Sequence, residues 1–231
     1  MTLLTTIQSA CSKIGITRPT VVVGSTDVQV VEVLDLANEE GRELAKAGDW
    51  RVLQAEQTFA TVAAASQTNA LPSDFARIID NTFFNRTTAR RVYGPISPEE
   101  WQERQAFTAA SSINAYYMRR GSTLLFTPTP AASQTCAFEY IKNTWCQSSG
   151  GTAQSAWAAD ADTGVLDENL MALGITWRFL KKKGLGTWQP AFLHYTDQVN
   201  LALAQDKGNP RLSMVPRPFA LVANVPEGSW S

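Results

Sequence analysis

The one histidine of the chain, His194, is the residue a Ser-His-Asp triad would need. It lies in Phe192-Leu193-His194-Tyr195, inside a helical pattern, where a surface or packed imidazole is the simpler reading. Two carboxylate pairs, Glu39-Glu40 and Glu99-Glu100, have the residue types for general acid–base work. Both fall in segments with helical patterning, and solvated helix faces account for them. Asp160-Ala161-Asp162-Thr163-Gly164 has the opening of a calcium loop. Its glycine comes one place early, and Val165 and Leu166 hold the next ligand positions. It therefore reads as a turn entering a helix. Neither GxGxxG nor GxxxxGK[ST] occurs.

Cys11, Cys136 and Cys146 are odd in number and match no zinc or redox spacing. A reduced compartment is the simplest reading, with a Cys136–Cys146 disulfide as the minor alternative. Lys181-Lys182-Lys183 fits either contact with phosphates or the C-terminal end of a helix, where the dipole favours cations; the two are compatible. Arg90-Arg91 and Arg119-Arg120 stand near expected strand ends, as edge charges or as part of a shared surface. The residues argue against an enzyme, and no cofactor or metal is expected.

The composition bounds the class of protein. The chain has 231 residues, 44% of them hydrophobic, enough for a sizeable core. Its 20 basic and 21 acidic residues nearly cancel, which argues against global attraction to nucleic acid or an anionic membrane. The N-terminus lacks the basic region and long apolar core of a signal peptide and reads as a helix. The sequence has no apolar run long enough to span a bilayer.

The first helix is expected over Leu3–Ile14, stopped by Gly15. The second should start after Ser25 or Thr26 and run to about Ala47. Its core stripe is Val30, Leu34, Ala37, Gly41 and Leu44, with Glu32, Glu39, Glu40 and Glu43 facing away. Trp50, Val52 and Leu53 follow as core anchors. Strands are expected over 57–62, 78–84, 91–93, 115–118, 124–127 and 136–142, with a short helical turn opened by Leu71–Phe75. Cys136–Lys142 reads as the partner of the strand before Pro128. Ser97-Pro98-Glu99-Glu100 predicts a helix through Trp101 and Phe107, closed by a capping box. Residues 143–162 read as loop, most flexible at Ser148–Thr152. Leu166, Leu170, Leu173, Trp177 and Leu180 mark a helix, and Phe192, Tyr195, Val199 and Ala202 mark the last one.

The remainder, 209–231, has prolines at 210, 216, 218 and 226 yet carries Leu212, Met214, Val215, Phe219, Leu221, Val222, Val225 and Trp230. An extended arm docked on another surface explains both features. Pro216, Phe219, Leu221, Val222 and Trp230 are its expected contacts, and loop residue Trp157 is a further interface candidate. The fold class is thus α+β. N- and C-terminal helices form a bundle, a mostly antiparallel β domain is inserted, and an arm extends from the end. The expected segments are 1–53, 54–147, 148–208 and 209–231.

Leu71-Pro72-x-Asp74-Phe75-x-Arg77 follows the first strand. Tyr116, Gly121-x-x-Leu124-x-Phe126-x-Pro128-x-Pro130 and Phe138-x-Tyr140 come next, and an Asp-Thr-Gly turn precedes a helix with Trp177-Arg178. Over about 1–207 this series resembles the head-to-tail adaptor (connector) proteins of tailed bacteriophages, in the subgroup like tail tubular protein A of short-tailed phages. The resemblance implies a virion structural protein at the neck, assembled in the host cytoplasm. It implies a ring of about twelve copies, a portal protein on one face and tail or nozzle proteins on the other. Double-stranded DNA would pass through the channel without sequence-specific binding, with Lys181, Lys182 and Lys183 as channel-facing candidates. Two rival readings are a soluble α+β ligand-binding module with an aromatic-lined pocket, and an enzyme using His194 or a carboxylate pair.

Overall fold

The structure, a computed structural model, describes residues 2–106 and 114–207. Helix α1, Leu3–Ile14, begins where the Thr2 hydroxyl accepts the Thr5 N–H and ends at Gly15, whose φ of 84° allows the left-handed cap. Helix α2, Val28–Lys46, is capped by Asp27, which accepts the Gln29 N–H at 2.8 Å. The start falls later than expected because the Ser25 hydroxyl accepts the Asp27 N–H instead of capping the helix. Its buried face is Val33, Leu36, Ala37, Glu40, Gly41, Leu44 and Ala45, so the expected stripe is rotated and Glu40 lies inside it. A single 3-10 turn, Arg51–Leu53, follows; Trp50 and Leu53 are buried, whereas Val52 is exposed.

The sheet strands are β1 Gln54–Ala60, β2 Ser66–Gln67, β3 Phe75–Ile78, β4 Phe84–Asn85, β5 Arg90–Tyr93, β6 Ala115–Arg120, β7 Thr123–Thr127 and β8 Thr135–Lys142. Their order is β1-β8-β4-β5-β6-β7-β2, with β3 also on β8; β5–β6 is the parallel pair. β1 and β2 occupy opposite ends of this order, yet only Thr61–Ala65 separates them in the chain. The sheet must therefore curl into a half-barrel, and Phe59 of β1 meets Phe126 of β7 at 6.5 Å across it. Phe83 and Phe138 complete the packing, with ring centroids 5.1 Å apart.

Two expectations about strands change. Strand β7 pairs with β6, across the Gly121-Ser122 turn, and with β2, and not with β8 as expected. Strand β8 instead pairs with β1 along its length and with β3 and β4 on its other side. The segment expected as one strand over 78–84 is broken between β3 and β4, where Thr82 accepts the Glu139 N–H at 3.2 Å.

Helix α3, Pro98–Ala106, starts with the Ser97 hydroxyl accepting the Glu100 N–H at 3.1 Å. The Glu100 carboxylate turns to Arg104 rather than back to the cap. Phe107 and the arm 209–231 lie outside the described residues.

Residues 143–162 contain more than loop. A small sheet of β9 Cys146–Gln147, β10 Ala153–Gln154 and β11 Thr163–Gly164 runs in the order β10-β9-β11. Ser148–Thr152 is a bonded turn, with the Ser148 N–H donating to Thr152 O at 2.8 Å. Helix α4, Glu168–Lys182, starts at Asp167, which accepts the Leu170 N–H at 3.0 Å; α5 is Trp188–Lys207. Helix α4 packs against α1, α2 and α5 and is buried on several faces. Met171, Ala172, Ile175 and Phe179 join Leu170 in the core, while Leu173, Trp177 and Leu180 are only half-buried and Leu166 precedes the helix. Among the described residues no helix is long and apolar enough to cross a membrane.

Candidate functional site

The polar centre of the molecule joins α2, α4 and α5. Glu40 is fully buried, and its two oxygens accept from Tyr195 Oη at 2.7 Å and from Arg178. Arg178, 5% exposed, also donates to Glu43 at 2.5 Å and stands 3.7 Å from Glu39. Burial draws the Arg178 pKa below its ordinary value, against the opposing pull of Tyr195 and Glu39, and raises that of Tyr195. Space for the Glu40 carboxylate exists because α4 carries Gly174 opposite it; a Cβ there would overlap it. Gly41 likewise makes room for the Trp145 ring. Both Glu40 oxygens are satisfied within the protein, so the group holds three helices together and the Glu40 carboxylate is not open to a substrate.

The reading of Glu39-Glu40 as a solvated pair is thus corrected at Glu40. The missed residues are Glu40, Arg178 and Tyr195. The available signal was a carboxylate i, i+4 from Leu36 and Leu44, at a helix position that buried neighbours flank.

The other residues singled out lie apart. His194 is exposed on α5. Glu99 and Glu100 start α3. Asp160 accepts the Val22 and Val23 N–H groups at 3.0 and 2.7 Å, and Asp162 accepts those of Ala158 and Ala159 at 2.8 Å. These carboxylates tie the α1–α2 connector to the 158–162 turn. Trp157 is buried against Trp145 at 5.2 Å and so is not an exposed contact. The three cysteines are free and buried; burial pushes Cys136 up to about 11 and Cys146 up to about 12.

Lys181, Lys182 and Lys183 are exposed at the end of α4. Lys182 and Lys183 reach Glu32 of α2 at 3.6 and 2.6 Å, while Lys181 lies over the Trp177 and Trp188 rings. Pro216, Phe219, Leu221, Val222 and Trp230 fall outside the described residues.

The surface offers apolar residues more readily than a deep site. Helix α5 presents Leu193, 63% exposed, and Leu201, 51% exposed, on its outer side. The half-barrel aromatics pack on one another. A cavity at the barrel rim, lined by Val92, Phe126, Pro128 and Gln134, measures about 180 Å³, below the usual size of a ligand site.

A family model described as SU10 adaptor protein matches residues 1–217. The chain belongs to the SU10 adaptor protein family. No curated protein matches it. The family places the chain among phage head-to-tail adaptors, as the motifs over 71–178 led one to expect, and its role is structural rather than catalytic. An SU10 adaptor protein is associated with the virion and works with portal and tail components. The match runs past α5 to residue 217, so the family pattern includes part of the sequence that follows Lys207.

Proposed function

We propose that this adaptor forms a ring, of about twelve copies, between the portal and the tail at the virion neck. The observation that carries the reading is the family match over 1–217. The fold supports it: a helical bundle and half-barrel carry apolar surface on α5 that the described residues leave uncovered. One face of the ring holds the portal, and the other holds a tail, nozzle or further neck protein. Residues 209–231 form an arm that docks on a neighbouring subunit or the portal through Pro216, Phe219, Leu221, Val222 and Trp230. Lys181, Lys182 and Lys183 face the channel through which double-stranded DNA passes. Near-neutral net charge, −1, suits a conduit that must release DNA. Assembly takes place in the host cytoplasm. Weak contacts between copies gain strength when a pre-formed portal ring holds them at high effective concentration.

Light scattering of the chain alone, then mixed with the purified portal ring of the same genome, tests this reading. The expected outcome is a ring on the portal. A chain that never binds portal overturns it. Deleting 209–231 should weaken assembly and leave the monomer folded.

A further inference from the structure

The end strand β1 bonds to β8 on one side, and its register determines which amides face outward. The Thr61 N–H donates to Gln134 O at 2.8 Å, and Phe59, Gln57 and Ala55 stand opposite Cys136, Phe138 and Tyr140. On the far side of β8, Ile79 donates to Glu139 O at 2.9 Å and Arg86 to Thr135 O at 2.8 Å. Glu139 and Thr135 thus point their backbone groups away from β1. Their partners Glu56 and Ala60, with Thr58 between them, turn N–H and C=O to the open edge. Among the described residues nothing bonds these amides. Edges are normally blunted by proline, lysine, a bulge or short length. Strand β1 runs for 7 residues in unbroken register, with neither proline nor lysine.

The described chain ends beside this edge. Asp206 accepts the Arg51 N–H at 2.8 Å, and Leu203 lies over Gly48, so α5 finishes at the foot of β1. Beyond it, Phe219-Ala220-Leu221-Val222-Ala223-Asn224-Val225 lies between Pro218 and Pro226. This window is free of proline, rich in strand-forming residues and as long as β1. Alternation places Phe219, Leu221 and Val225 on one face. The spacer 208–218 can reach roughly 36–40 Å at 3.3–3.6 Å per residue. Pairing with the edge of its own subunit would use little of that length, because the exit is already at β1.

We infer that residues 219–225 of one copy add as a strand to the open β1 edge of the next copy. This rests on the ring reading above and names the acceptor of the arm. Main-chain bonds to Glu56, Thr58 and Ala60 supply the attachment. The donated segment and the accepting strand are different parts of the chain, so copies can join head-to-tail, and the contact closes into a ring when the rotation permits.

Two full-length variants test it. Thr58→Pro removes an outward N–H and leaves the β8 ladder intact; Leu221→Pro breaks the arm strand and leaves the edge open. Light scattering at high protein concentration should find each variant alone monomeric, their equimolar mixture a 1:1 dimer, and the wild type in larger species. Absence of the dimer overturns the inference. Amide exchange at Glu56, Thr58 and Ala60 of the wild type gives a readout independent of whether Thr58→Pro folds. Protection should rise with protein concentration. Protection at all dilutions, or at none, overturns it. Portal binding is measured in parallel: binding without the variant dimer removes this inference alone, and the dimer without portal binding removes the adaptor reading alone.

Discussion

Tyr195 of α5 donates its hydroxyl proton to Glu40 of α2 at 2.7 Å, across a site where Glu40 also holds Arg178 of α4. One carboxylate thereby fixes the positions of three helices. Removing Arg178 leaves the buried Glu40 charge without its cation, so Arg178→Met should cost about 3–5 kcal/mol. Tyr195→Phe loses one bond to a charged acceptor and should cost about 1.5–3 kcal/mol. The double variant Glu40→Leu/Arg178→Met should be far less destabilised than the two single effects added, because neither charge is then stranded. Urea denaturation of the wild type, Glu40→Leu, Arg178→Met, their double variant and Tyr195→Phe measures this; additive losses of the Glu40 and Arg178 variants would show that the two groups do not act as a unit.

Gly174 exists for the same carboxylate. A methyl at this position overlaps Glu40, so Gly174→Ala should destabilise the protein by about 1–3 kcal/mol although alanine is the better helix former. Combining it with Glu40→Ala should restore the ordinary helix preference and reverse the sign of the alanine effect. Thermal melts of both pairs decide the matter. A neutral Gly174→Ala in the wild-type background would mean that α2 and α4 can move apart freely.

The ends of α1 and α3 were legible because their signals are local: Gly15 for one, Ser97-Pro98 for the other. The strand content between the helices and the helix–sheet–helix order were legible for the same reason. The Glu40 site was not. Its partner Arg178 lies 138 residues away, and no periodicity within α2 announces a buried charge. Strand β8 was assigned to the wrong neighbour because its sequence says that it is a strand but not which edge it joins. That choice was made by β1, whose pairing with β8 closes a loop of most of the β region. Trp157 looked exposed because its loop is rich in small residues, yet the Trp145 ring and the Asn38 side chain, which accepts the Trp157 N–H at 2.9 Å, hold it inside.

Alkaline pH should loosen the half-barrel. Burial pushes Tyr117 from 10.0 up to about 12, aided by Asp80 and opposed by Arg91; burial and Asp74 do the same to Tyr140. The folded state holds both protons more tightly than the unfolded chain. Their contribution is therefore complete below about pH 10 and is lost as pH rises through about 12. Stability by urea denaturation should fall over that window. Tyr117→Phe/Tyr140→Phe should flatten the fall, while removing the Tyr140 bond to Asp74 at 2.9 Å lowers the plateau by about 1 kcal/mol. An unchanged slope in the double variant would place the alkaline transition elsewhere.

The lysines at the end of α4 separate a structural from a conduit role. Lys182 and Lys183 share Glu32, whose pKa is lowered chiefly by its hydrogen bond with Lys183; the two lysines are exposed and Glu32 is half-buried. Surface pairs of this kind contribute little to folding. Lys181→Gln/Lys182→Gln/Lys183→Gln should therefore melt close to wild type and still bind portal. In virions carrying the variant, the channel should hold fewer phosphates, and the dependence of DNA ejection rate on salt should become shallower. A salt dependence identical to wild type would take these lysines out of the channel and leave them as the polar seam between α2 and α4.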